Sequence, residues 1–120
     1  ISNYDLVVDG CDKFTTRDII NDACAHWGRP YVYGAILAFE GQVSVFNYQG
    51  GPDYRTLYPD EEEMLAMPAP FKGVLGVTPG VIGCMEANEV MKIIGGYGEV
   101  LSGKLWQIDL RTMESFTIML

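Results

Sequence analysis

The sequence predicts an α/β chain in which a mixed sheet is flanked by helices and closed by a carboxyl-terminal antiparallel hairpin. Three observations point there. An apolar run, an amphipathic helical stretch and a second apolar run follow one another in the order of a strand, helix, strand crossover. A longer helical pattern begins near residue 78, and two strand-like runs at the end flank a turn at Arg111 and Thr112.

Tyr4 to Val8 reads as a short strand, because Leu6, Val7 and Val8 run together before the break at Asp9 and Gly10. A strand apolar on both faces belongs to a parallel sheet. From Thr16 to Trp27 the apolar residues Ile19, Ile20, Ala23, Cys24 and Trp27 recur at helical spacing. Thr15 or Thr16 would cap that helix and Gly28 and Pro30 would stop it. Tyr31 to Ala38 is the second strand, parallel to the first. Gln42 to Tyr48 is the third, with Val43, Val45 and Asn47 alternating against Ser44, Phe46 and Tyr48 after a tight turn at Glu40 and Gly41.

Residues 50 to 72 lack a period, carry four of the six prolines and hold the acidic run Asp60 to Glu63. They read as a long crossover loop, expected to be mobile from Asp60 to Lys72 without a partner. Thr78 and Pro79 suit the start of a helix reaching Ile94, with Gly95 and Gly96 ending it. Its apolar arc, Cys84, Ala87, Val90, Met91 and Ile94, should be the buried face, with Glu86, Glu89 and Lys92 on the other side. Leu105 to Asp109 and Ser115 to Leu120 make the closing hairpin. One short parallel strand and one crossover neighbour do not complete a doubly wound sheet, so half of a fold is expected upstream of Ile1.

Composition sets the limits. The 120 residues, 48% of them hydrophobic, suffice for one domain with a core. A formal charge of -8 offers no basic stripe for nucleic acid. No stretch approaches the roughly 18 apolar residues of a membrane helix, and no signal peptide is in view. The three cysteines, Cys11, Cys24 and Cys84, lack paired spacing and read as buried, reduced thiols of a cytoplasmic protein. His26, the single histidine, falls at the end of the first helix, where a dipole-compensating role is ordinary.

Asp9, Gly10, Cys11 and Asp12 stand at the carboxyl end of the first strand, where open α/β sheets bind ligands. Taken alone, Asp9 or Asp12 could simply cap the turn into the helix. The whole pattern is more specific. Tyr4 to Asp12, Arg17, Ile20 to Cys24, Tyr33 to Ala35, Phe39 to Phe46, Gly73 to Gly83, Glu89 to Lys92 and Leu101 to Lys104 resemble, in order, consecutive blocks of the ThiF/MoeB/HesA adenylyltransferases, relatives of ubiquitin-activating enzymes.

The resemblance implies the carboxyl-terminal part of a Rossmann-like ubiquitin-activating-enzyme fold. It implies ATP-dependent adenylation of the terminal Gly-Gly of a ubiquitin-like sulfur carrier, ThiS-like or MoaD-like, in thiamine or molybdopterin synthesis. Asp12 matches the aspartate that holds magnesium, although Lys13 replaces the usual Asn. Arg17 matches a position near the nucleotide and could equally pair with Asp12, Asp18 or Asp22. The family's glycine-rich nucleotide loop lies upstream of the matched segment, and no such motif occurs here. The fragment alone is therefore expected to be inactive, and no catalytic residue is assigned within it.

Zinc is not expected, since Asp53 and Thr56 stand where relatives have a Cys-x-x-Cys pair, and Ala69 stands where some carry a reactive cysteine. A homodimer is implied as well. The competing expectations are a non-catalytic carrier-binding module and a dimerisation module of the same fold.

Overall fold

The computed structural model describes residues 3–11, 13–57 and 76–120. Among them, five strands form one mixed sheet in sequential order: β1 (Val7–Val8), β2 (Tyr31–Leu37), β3 (Glu40–Phe46), β4 (Lys104–Asp109) and β5 (Glu114–Met119). β1 pairs parallel with β2 and every later pair is antiparallel. Among the described residues, three helices accompany the sheet: α1 (Phe14–Trp27), α2 (Tyr54–Leu57) and α3 (Val77–Gly95). The expected mixed α/β architecture and closing hairpin are both present.

Strand pleating sends alternate side chains to opposite faces. One face carries Tyr31, Tyr33, Phe46 and Leu105, which with Cys24 of α1 and Tyr54 of α2 form the buried core. Its aromatic rings pack at tilted angles, with Tyr33 centred 5.3 Å from Phe46 and 5.5 Å from Tyr54. The other face carries Val32, Gly34, Gly41, Val43 and Val45 and receives α3. A Cβ at Gly34 would overlap the Glu86 carboxyl, and one at Gly41 would overlap Ile82, so these two glycines set how closely α3 approaches.

Several expectations are corrected. β1 holds only Val7 and Val8, and Val8 is half exposed; among the described residues no strand pairs its outer edge. The β2–β3 turn falls at Ala38 and Phe39 rather than Glu40 and Gly41. Ala38 takes a left-handed φ of 53°, and Leu37 pairs with Glu40. Neither Thr15 nor Thr16 caps α1; extended Lys13 does so, without a side-chain bond. Gly28 ends α1 as expected, at a left-handed φ of 66°.

The buried side of α1 is polar, with Arg17, Asp18 and Asn21 beside Cys24, while Ile19 and Trp27 are exposed. The reason is α2, which occupies part of the expected loop. The Tyr54 amide donates to Asn21 Oδ1 at 2.9 Å, and Arg55 pairs with Asp22 at 2.9 Å. Residues 58–75, including the acidic run and Ala69, lie outside the described residues.

α3 is turned relative to its expected orientation. Thr78, Ile82, Glu86 and Glu89 face inward, while Cys84, Ala87, Met91 and Ile94 are exposed. Thr78 does not cap the helix; its hydroxyl donates to the Ala38 carbonyl at 2.9 Å and pins α3 to the β2–β3 turn. Glu89 is ion-paired with Lys92 and accepts from the Leu101 amide at 2.7 Å, while Lys92 donates to the Glu99 carbonyl at 2.7 Å. This latch explains why Glu89 lies on the sheet side: its charge ties α3 to the chain entering β4. Cys24 is buried as expected, Cys11 is half-buried, and Cys84 is exposed.

Candidate functional site

β1 delivers Asp9 to the carboxyl end of the sheet, where its side chain is buried and fully engaged. Oδ1 accepts from the Cys11 amide at 2.8 Å. Oδ2 accepts from Tyr31 Oη at 2.7 Å and from Arg17 Nε at 3.2 Å. Arg17 Nη2 donates to the Cys11 carbonyl at 2.9 Å, so the turn after β1 is held at both its amide and its carbonyl. Asp9 therefore braces the turn rather than capping α1, and Arg17 pairs with it among the described residues. Asp12 itself lies outside the described residues.

Electrostatics follow from that closure. Burial opposes the Arg17 charge, but Tyr33 and Asp9 more than offset it, and its pKa lies above the ordinary value. Burial and the neighbouring Asp9 both raise the Tyr31 phenol, keeping it a neutral donor. Burial, then Asp9, push the Cys11 thiol up to about 11, so it is a poor thiolate at neutral pH. On the other side of the sheet, burial and Asp9 push the Glu86 carboxyl up to about 8, against the opposing pull of Arg17. Glu86 Oε2 is buried without a hydrogen-bond partner among the described residues.

A groove of about 440 Å³ opens from this network across the core-side face of the sheet. Arg17 and Tyr33 stand at its inner end, Gln42, Gln107 and Phe116 across its floor, and Asp109 and Glu114 at its far end. The floor is a hydrogen-bonded ladder, with Gln107 Nε2 donating to Gln42 Oε1 at 3.0 Å and Gln42 Nε2 to Tyr33 Oη at 2.6 Å. Arg17 stacks over the Tyr33 ring at 5.5 Å, and its Nη1 makes no hydrogen bond among the described residues. A buried cation with a spare donor at the end of a polar-floored groove can receive the carboxylate end of an extended chain.

A family model described as the ThiF family matches residues 1–120. The chain belongs to the ThiF family. Among curated members, it is 48% identical over 107 residues to a "Probable molybdopterin-synthase adenylyltransferase" of Pyropia yezoensis, covering 88% of this chain and 28% of that protein. It is 44% identical over 111 residues to "Adenylyltransferase and sulfurtransferase MOCS3" of Mus musculus, covering 91% of this chain and 24% of that one. This ThiF-family chain thus spans about a quarter of each. Among solved structures, E. coli MccB with ATP superposes with a TM-score of 0.79 over 96% of this chain and 36% of that chain, at 18% identity, which shows a shared fold.

The sequence singled out Asp9, Asp12 and Arg17. The structure joins Asp9 to Arg17 and adds Tyr31 and the Gln42 to Gln107 ladder, which sequence reasoning missed. A cross-strand contact leaves no sequence spacing to read, although a Tyr opening the strand next to β1 was a usable signal. Glu86 was assigned to the wrong side of its helix.

Proposed function

We propose that the protein carrying this chain adenylates the carboxyl-terminal Gly-Gly of a ubiquitin-like sulfur carrier with ATP, in molybdopterin-cofactor synthesis. The observation that carries this reading is the Asp9, Arg17 and Tyr31 brace at the carboxyl end of a parallel strand, opening onto a groove of about 440 Å³. Two relatives named for molybdopterin synthase and MOCS3 favour that pathway over thiamine synthesis.

In the reaction, a carboxylate oxygen of the tail attacks the α-phosphorus of ATP, forming the acyl-adenylate as the bond to pyrophosphate breaks. Arg17, held by Asp9, orients the carboxylate, and the groove floor aligns the tail. Asp9 has both oxygens committed, and by the family resemblance Asp12 would hold a magnesium ion, which would offset phosphate charge. The nucleotide loop and the remaining cationic groups are supplied by other parts of the protein, so this chain alone is inactive. A second copy covers the outer face of α3.

Pyrophosphate exchange by the full-length protein with purified carrier tests the reading. Asp12→Asn should retain the fold, because a turn accepts either residue, while lowering exchange by tenfold or more, about 1.4 kcal/mol of barrier. Unchanged exchange at saturating magnesium would retire Asp12 and favour a non-catalytic carrier-binding module.

A further inference from the structure

The sheet side of α3 is one stripe, Thr78, Ile82, Glu86 and Glu89, in which neighbours lie three or four residues apart. Its two ends are bonded and its middle is not. Thr78 donates to the Ala38 carbonyl, and Glu89 is tied to Lys92 and to the Leu101 amide. Between them, the Glu86 carboxyl fills the hollow that Gly34 leaves by having no side chain. It is more than nine-tenths buried, and among the described residues its Oε2 has no hydrogen-bond partner and no cation forms an ion pair with it.

The surroundings do nothing to accommodate a charge at that point. α3 packs on β2 and β3, whose residues on this face are Val32, Gly34, Ile36, Gly41, Val43 and Val45, none of them titratable. β4 adds Lys104 to the face, but its ammonium lies 3.6 Å from Glu99, and Lys92 of α3 is engaged with Glu89 and the Glu99 carbonyl. The charges that reach Glu86 belong to the brace: Asp9 opposes its ionisation, and Arg17 favours it but is closed onto Asp9. Burial is the larger effect, and together with Asp9 it raises the carboxyl to about 8. A buried carboxylate without a partner is strongly unfavourable. The nearest relief is water entering between α3 and Gly34.

We propose that Glu86 is a proton-operated catch on the middle of α3: with its proton the helix lies seated on Gly34, and on losing it the stretch between the Thr78 and Glu89 ties lifts from the sheet. Gly34 follows Tyr33, whose ring stacks against Arg17. The seat of α3 and the Asp9–Arg17 brace therefore share one stretch of β2, so release of the helix slackens the strand that orders the site. The uncharged outward side of α3 moves with it.

The experiment follows amide hydrogen exchange in the full-length protein at pH 6.5 and pH 9, corrected for the intrinsic base-catalysed rate. Parent, E86Q and E86M are compared, since neither variant can ionise at this position. In the parent, amides of residues 82–89 should exchange through a local opening, faster than those of β2 and β3 and with little dependence on dilute urea. That opening should be roughly thirtyfold more frequent at pH 9 than at pH 6.5, the linkage for one carboxyl that moves from about 8 when seated to 4.5 when released. In both variants it should be equally frequent at the two pH values. A parent that responds to pH no more than the variants do overturns the catch. So does exchange of residues 82–89 only in step with β2 and β3, at the same urea dependence, because the proton then acts on folding of the whole chain and not on the seat of one helix.

Discussion

At the residue scale, Asp9 concentrates more consequence than any other side chain of the site. Removing its charge leaves Arg17 buried and unpaired, which costs about 3–5 kcal/mol. Asp9→Asn should therefore destabilise the chain by that order in urea melts. Tyr31→Phe, which deletes one bond to the same carboxylate, should cost about 1.5–3 kcal/mol. The two losses should not add, because both substitutions act on Asp9. The sequence placed Asp9 at a strand's ligand end but proposed Asp12, Asp18 or Asp22 for Arg17. The actual partner is eight residues away, brought close by the turn out of β1.

Glu86 carries a second residue-scale consequence. Its carboxyl is raised from 4.5 to about 8 in the folded chain, so the folded state binds this proton more tightly than the unfolded state. Stability is greatest below the unfolded pKa and is lost as pH climbs from about 4.5 through about 8. Glu86→Gln removes the titration. Its stability should be flat across that window, and the parent should fall relative to it by about 2–4 kcal/mol between pH 5 and pH 9. Urea midpoints at the two pH values check this, and parallel pH profiles would contradict it.

At the element scale, the helices show where periodicity stops being informative. The 3.6-residue pattern located α1 and α3 within two residues at most boundaries, because helical spacing and terminal glycines are local signals. It misassigned which side faces the sheet. An apolar arc says that something should cover it, not that the sheet does. In α3 the sheet-facing side is fixed by size, with Gly34 and Gly41 leaving room for Glu86 and Ile82, and by the Glu89 latch. Gly41→Ala should therefore destabilise by about 1–3 kcal/mol through overpacking. Combining it with Ile82→Ala should recover part of that loss in a double-mutant cycle. Strictly additive losses would show that Gly41 and Ile82 do not set the spacing of α3. The β2–β3 turn moved for a related reason: Gly41 is needed as a strand residue under α3, so the turn passed to Ala38 and Phe39.

At the scale of the whole chain, the five described strands lie in sequence order while two surfaces are left open. Among the described residues β1 has a free edge, and no helix is long and apolar enough to cross a membrane and so account for the exposed apolar face of α3. The charged residues of α3 are Glu86, Glu89 and Lys92. Both glutamates are buried against the sheet and Lys92 is bonded toward it, so the outer side of a 19-residue helix has no charge. A helix apolar on its outward side is an interior helix of something larger. That agrees with a chain covering 28% of the Pyropia yezoensis relative.

Cys84 turns that surface into its own gauge. The three thiols are graded by place: Cys24 is sealed in the core, Cys11 is held protonated beside Asp9, and Cys84 stands open in the middle of the uncharged face. A maleimide at pH 7 should consequently tag Cys84 first, without any engineered handle. If a second copy covers α3, the tagging rate should fall several-fold as the concentration of full-length protein rises. A rate independent of concentration would leave that face to some part of the same polypeptide, and the proposed pairing of copies through α3 would be abandoned.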